Sequence, residues 1–278
     1  MIRGTTRLAA VIGWPIEHSR SPQLLNAAFA AAGIDAVLVP LAVPPEQLAN
    51  ALDGLRACRA LGASITVPHK LAAAALADEL TLPAREIGAV NCLQLVADRL
   101  VGHNTDCDGF VDGLRAAGFR PEAGPHVVLL GAGGAARAIA YGLRESCSIE
   151  VLARHPDQVD WAHGSTRATA WTDDNLRAAF ARAGLVVDCT PIGLGGADEA
   201  TFVDALPLEV LRPEAWAATL VYHRPTIWLA RARARGLATV DGRAMLVHQG
   251  ARAFAIWTGM PAPIAAMTQA LDAAVAGT

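Results

Sequence analysis

The stretch VVLLGAGGAARA, residues 127–138, constrains the fold of this chain more than any other. Four consecutive apolar residues read as a strand buried on both faces. Gly131, Gly133 and Ala136 then give the spacing G-x-G-x-x-A, and an alanine-rich helix follows. The first glycine permits a tight turn, the second lets backbone amides approach a pyrophosphate, and the third small residue lets helix and strand pack closely. A strand, a glycine turn and a helix in that order place the region in a parallel α/β sheet. The turn suits a dinucleotide at the helix N-terminus, where free amides and a partial positive charge meet phosphate; the alternative is a purely structural turn. Cofactor type is decided at the end of the next strand, SIEVLAR, where an acidic residue would hold the ribose 2′-hydroxyl of NAD. The strand ends at Ala153 and Arg154. Arg154 could face a 2′-phosphate or be an ordinary solvated charge, and Asp157 keeps NAD open.

The rest of the chain alternates in the same way. LAAVIGW, AVLVPLAV and GASITV read as strands, separated by helices at SPQLLNAAFAAAG (Ser21 as N-cap, Pro22 in the first turn, Gly33 as stop) and PPEQLANALDGLRAC. AVNCLQLVADRLVGH reads as a hairpin turning near Asp98. The 278 residues, 53% of them hydrophobic, suffice for two domains. The expectation is an α/β protein with two domains. Residues 1–106 plus 238–278 form an N-terminal, mainly parallel α/β substrate-binding and catalytic domain, and residues 107–237 form a Rossmann NAD(P)-binding domain.

Several classes are excluded. The net charge is −3 and no Lys/Arg block occurs, so no nucleic-acid partner is expected. No apolar run reaches the roughly 18–20 residues of a membrane span, and the N-terminal run, broken at Gly13 and Pro15, reads as a strand and not a signal peptide. The five cysteines are scattered and form no C-x-x-C pair, and the histidines form no H-E-x-x-H, so no metal site is expected and a reducing cytoplasm is the expected location.

One further stretch stands out. SITVPHK, residues 64–70, reads as a strand stopped by Pro68 and followed by Lys70, the only lysine in the sequence. A lone strand-end lysine is ordinarily a solvated charge. An ammonium beside a ketone oxygen, however, stabilises the charge that develops during hydride transfer and can supply the proton.

VIGWPIEHSRSPQLLN, GASITVPHK, GAVNCL, GHNTDCDG, GAGGAARA, CTPIG and DGRAMLVHQGARAFAIWTG stand in an order and at spacings that resemble the shikimate dehydrogenase family over roughly residues 10–260. H-S-x-S-P, T-V-P-x-K and N-T-D together are its most specific parts. The resemblance implies reversible, NAD(P)H-dependent reduction of 3-dehydroshikimate to shikimate, in aromatic amino acid biosynthesis. The substrate would be a small hydroxylated cyclic carboxylic acid, with NADP the expected cofactor and NAD the alternative. Lys70 and Asp106 then look like the catalytic pair. Ser19 and Ser21 look like the hydroxyls that bind the carboxylate, and Thr66, Asn91, Tyr222 and Gln249 like further substrate ligands. Gly131, Ala132, Gly133, Gly134, Ala135, Arg154 and Thr190 would bind the cofactor. The resemblance also implies an active site in a cleft between the domains; a homodimer is left open.

The chain departs from the family pattern at Leu25 (usually histidine), Ser64 (usually asparagine), Thr219 (usually aspartate) and Asp188 (usually asparagine). It also carries ARH where the family has N-R-T. These departures leave open a quinate/shikimate or aminoshikimate dehydrogenase of a divergent branch. A catalytically silent dinucleotide-binding regulator is the rival of another class, and the intact Lys70 and Asp106 argue against it.

Overall fold

The computed structural model describes residues 2–192 and 198–276. The chain divides into two units, Met1–Gly109 with Val247–Thr278, and Phe110–Leu246. In the first unit β1 (Arg7–Gly13), α1 (Ser21–Ala31), β2 (Ala36–Ala42), α2 (Leu48–Ala57), β3 (Gly62–Ile65), α3 (Lys70–Leu76), β4 (Glu79–Leu80), α4 (Leu82–Ile87), β5 (Cys92–Val96) and β6 (Arg99–His103) follow in turn. The sheet order is β2-β1-β3-β5-β6-β4. β1 is parallel to both β2 and β3, β5 runs antiparallel to β3 and β6, and β4 is parallel to β6. The unit is therefore parallel at one side of its sheet and built on a hairpin at the other. That hairpin turns through Ala97 and Asp98, with φ of 47° and 67°. Two successive left-handed residues give the backbone twist that suits a two-residue β-turn.

Three local readings are corrected. Ser21 is the first helical residue of α1 and not its cap; the N-cap is Arg20, which makes no side-chain cap bond. The Ser19 hydroxyl instead accepts from the Ser21 N–H at 3.3 Å. The strand of GASITV ends at Ile65, because Thr66 N–H still bonds Ile12 O but Pro68 can offer no donor. Lys70 therefore does not end a strand: it opens helix α3.

In the second unit α5 (Asp106–Ala117) leads to β7 (His126–Leu130), α6 (Gly134–Leu143), β8 (Ser148–Ala153), β9 (Thr166–Ala170), α7 (Asp173–Arg182), β10 (Leu185–Asp188), α8 (Glu199–Asp204), β11 (Trp216–Thr219), α9 (Ile227–Ala234), β12 (Ala238–Val240) and α10 (Gly242–Thr258). The last helix, α11 (Ile264–Ala276), packs against α1 in the first unit. All neighbours in the order β12-β11-β10-β7-β8-β9 are parallel. The unbroken apolar run of β7 follows from burial on both faces. Val128 and Leu130 join one core with Phe180, Val186 and Trp228, while Val127 and Leu129 join another with Ile139, Ile149 and Val187. The chain crosses from one unit to the other inside α5 and inside α10.

Candidate active site and cofactor cavity

The first unit brings four of the expected site residues together. Asp106 opens α5, where the partial positive charge of the helix N-terminus favours a carboxylate. Lys70 opens α3, where the same effect disfavours its ammonium unless an anion balances it. Asp106 supplies that anion: its Oδ2 accepts from Lys70 Nζ at 2.6 Å. The pair is only partly shielded, the lysine side chain being 33% exposed and the aspartate 10%, so one flank of the ammonium remains open to a ligand.

Asn91, 3% exposed, holds the other side of Asp106. Its Nδ2 donates to Asp106 Oδ1 at 2.8 Å and lies 3.0 Å from Thr105 Oγ1 and 3.4 Å from Gln249 Oε1, while its Oδ1 accepts from Thr105 N at 2.6 Å. The backbone of Asn91 is pinned on both sides, its carbonyl accepting from Ile65 N–H and its N–H donating to His103 O. Asn104, whose role no motif revealed, fixes the start of α5: its Oδ1 accepts from the amides of Asp106 and Cys107, and its Nδ2 donates to Ala89 O. Val90 N–H donates to Lys70 O, which ties the lysine backbone to the same segment.

Ser19, Ser21 and Thr66 belong to the same unit. Among the described residues they make no side-chain hydrogen bond to this network. Thr66 follows β3 and bonds β1 through its backbone. Tyr222 belongs to the second unit, after β11, with its ring 5.8 Å from that of His223.

The second unit carries a cavity of about 730 Å³ at the carboxyl ends of β7, β8 and β10, and Gly131, Ala132, Gly133, Arg154, His155 and Thr190 contribute to its lining. Gly131 adopts φ +93°, a left-handed value that favours glycine. A Cβ built on Gly133 or Gly134 would meet nothing within 4 Å, so the backbone there faces open space that a ligand can enter. Gly134 and Ala135 begin α6 and do not line the cavity. Thr190 is held by Asp188, whose Oδ1 accepts from both the Thr190 amide and its hydroxyl, at 2.9 and 2.7 Å. Burial pushes the Asp188 carboxyl up, against the hydrogen bonds from Thr190. Asp188 and His155 are further residues at this site to which the sequence assigned no role. Gly193, the last residue of CTPIG, lies outside the described residues.

No carboxylate lines the cavity among the described residues. Asp157 sits in the 3-10 turn Pro156–Gln158 without contributing to the lining, whereas Gln158 does. The acidic residue that would mark NAD is thus missing from the lining, and the basic Arg154 is present. A dinucleotide fits this cavity: glycine backbone open to phosphate, a helix N-terminus, and the guanidinium of Arg154 at the end of β8. Among the described residues no helix is long and apolar enough to cross a membrane, and no three or more His, Cys, Asp or Glu residues are grouped to hold a metal ion.

Comparisons with known proteins find relatives along the length of the chain. Residues 11–93 match the family described as shikimate dehydrogenase substrate binding domain, and residues 242–271 the shikimate 5'-dehydrogenase C-terminal domain. A Symbiobacterium thermophilum protein named shikimate dehydrogenase (NADP(+)) is 41% identical, with 99% of this chain and 97% of that protein covered. The crystal structure of Thermus thermophilus shikimate 5-dehydrogenase in complex with NADP(H) and shikimate superposes with a TM-score of 0.84 at 36% identity, covering 97% of this chain and 100% of that one. The 5-ketofructose reductase of a Gluconobacter species superposes with a TM-score of 0.85 at 30% identity, over 98% of this chain and 100% of that one.

Proposed function

This chain belongs to the shikimate dehydrogenase family, and on that premise we propose that it reversibly reduces 3-dehydroshikimate to shikimate with NADPH, a step of the shikimate pathway. The observation that carries the catalytic reading is the Lys70–Asp106 contact at 2.6 Å, with the second Asp106 oxygen held by Asn91. When bound, the cofactor supplies the hydride that adds to the carbonyl carbon.

The residues of the chain do the rest. Lys70 directs its ammonium at the carbonyl oxygen, stabilises the charge that develops there and donates the proton that completes the alcohol. Asp106 orients that ammonium and compensates its charge once the lysine is reprotonated from solvent. Asn91 and Asn104 act as positioning residues, the first through the Asp106 carboxylate and the second through its backbone. Ser19 and Ser21 are assigned to the substrate carboxylate, and Thr66, Asn91, Tyr222 and Gln249 to its hydroxyls. A site that hydrogen-bonds each hydroxyl discriminates strongly against analogues that lack one. Gly131, Ala132, Gly133 and Thr190 border the cofactor, and Arg154 pairs with its 2′-phosphate. The enzyme is placed in the cytoplasm, where its five cysteines, all free in the structure, stay reduced.

The superposition on a 5-ketofructose reductase favours testing one second reading, a reductase of another polyhydroxylated ketone. The departure at Leu25 does not bear on this, since Leu25 is 0% exposed and belongs to the core side of α1. The deciding experiment follows NADP⁺ reduction with shikimate and with quinate, and NADPH oxidation with 5-ketofructose. Turnover with shikimate well above the other two supports the reading; turnover with 5-ketofructose alone overturns it.

A further inference from the structure

Glu199 is a buried carboxylate to which the reaction derived above gives no part. It opens α8, and both of its oxygens are engaged. Oε1 accepts from the backbone amide of Ile227 at 2.6 Å, and Oε2 accepts from the Arg224 guanidinium. The first contact takes up an amide that the start of α9 leaves without an intrahelical partner, next to the Thr226 hydroxyl that accepts from Leu229 N–H. The second reaches into the segment between β11 and α9. Another nitrogen of the same guanidinium donates to Pro225 O at 3.1 Å. One carboxylate thus ties residues 224–227 to α8.

The same segment is held at its other end. Gly242 N–H donates to Val221 O at 3.0 Å, and a Cβ built on Gly242 would stand 2.1 Å from Leu220 O. The backbone of Leu220 and Val221 is therefore pressed against the start of α10, where only glycine permits so close an approach. Tyr222 lies between these two anchors, one residue short of Arg224, with its ring edge-on to that of His223. All of these residues belong to the second unit. We propose that Glu199 is a positioning residue: through Arg224 and Ile227 it sets the backbone that aims the Tyr222 hydroxyl at the substrate. This rests on the assignment of Tyr222 to a substrate hydroxyl and names what holds that side chain in place. The effect falls on substrate binding, because a hydrogen bond made alike in ground and transition states changes KM and leaves kcat. One such bond corresponds to about three- to tenfold. Glu199 does not line the cofactor cavity, so NADP affinity is spared.

The test measures KM and kcat for shikimate with NADP⁺, and NADP affinity by calorimetry, each below the melting transition of the protein used. The proteins are the parent, Tyr222→Phe, Glu199→Gln, Arg224→Met, Arg224→Lys, and Tyr222→Phe combined with each of Glu199→Gln and Arg224→Met. Glu199→Gln keeps an oxygen for the Ile227 amide but loses the charge that Arg224 answers. Arg224→Met releases the same clamp from its half-exposed end, should the buried substitution fail to fold. Both are expected to raise KM about three- to tenfold, with kcat and NADP affinity within about twofold of the parent. Arg224→Lys, which keeps the charge, should stay closer to the parent, and each double variant should match Tyr222→Phe alone. The parent's KM in Arg224→Met, or KM effects that multiply in the double variants, overturns the clamp and leaves the assignment of Tyr222 standing. A rise in KM matched by an equal loss of NADP affinity is a general loosening of the unit and overturns the positioning role as well. The parent's KM in Tyr222→Phe overturns both the assignment and the clamp.

Discussion

Lys70 and Asp106 each sit at the first residue of a helix, yet only the aspartate suits that place electrostatically. The lysine is held there by its partner, so the two should behave as one unit. Lys70→Ala and Asp106→Ala are each expected to lower kcat by about 10²–10⁴, and the double variant should lose far less than the product of the two. Multiplicative losses, or near-parent turnover in Lys70→Ala, would show that the contact is structural. Lys70 was legible as the sole lysine, two residues after Pro68, and Asp106 through the family resemblance that N-T-D carries. Asn104 and Asp188 were not. Their work is to accept from backbone amides two or three residues away, and such bonds leave no mark beyond an ordinary polar residue. Asp157, equally visible, kept NAD open, and it sits in a 3-10 turn outside the cavity lining.

Among elements, the strands with unbroken apolar runs were legible, since burial on both faces leaves no room for polar residues. β9 escaped notice because it is an edge strand: TRATA pairs only with β8 and keeps Arg167 in solvent. The cap of α1 was misread because a serine before a proline has the right composition, while the chain enters the helix one residue earlier, at Arg20. The β5–β6 hairpin was found from its alternation, but its turn is an unfavourable choice of residues. Ala97 adopts φ 47°, a left-handed conformation that costs an L-residue about 1–2 kcal/mol. Glycine removes that strain at an entropic cost of about 0.5–1 kcal/mol. Ala97→Gly should therefore stabilise by roughly 0.5 kcal/mol and raise Tm by about 1–2 °C. Ala97→Val should lower Tm, because a β-branched residue fits this region worst. Thermal melts that rank alanine above glycine would refute the strain.

At the scale of the molecule, the second unit joins an apolar central sheet to a charge cluster gathered around a buried carboxylate. Glu150 on β8 is 2% exposed. Its Oε1 accepts from Thr169 Oγ1 at 2.9 Å and from Arg167 at 3.0 Å, and its Oε2 from Arg182 at 2.8 Å and from His126 Nε2 at 3.1 Å. The carboxylate can only accept, so His126 carries its proton on Nε2, and its Nδ1 accepts from the Ser148 hydroxyl. Burial pushes the His126 ring down, which keeps it neutral. Burial likewise opposes ionisation of Glu150, but the bonds from Arg167, Thr169, Arg182 and His126 outweigh it and hold the carboxyl at about 2. A depressed carboxyl contributes stability that is present above its unfolded value, near 4.3, and is lost as the pH falls through the folded one. Glu150→Gln removes the charge that two half-exposed guanidinium groups share and should cost about 1.5–3 kcal/mol at neutral pH. The gap in stability between parent and variant should close as the pH falls from about 4.3 toward about 2. Glu150 does not line the cofactor cavity, so the variant should bind NADP with the parent's Kd. Saturating NADP at about a hundred times Kd should add about 2.7 kcal/mol to both proteins alike, an amount comparable to what the variant lost. Melts across pH, with and without NADP, measure all of this. An unchanged Tm at neutral pH would reduce the cluster to surface chemistry, and a weakened Kd would mean that it also shapes the cavity.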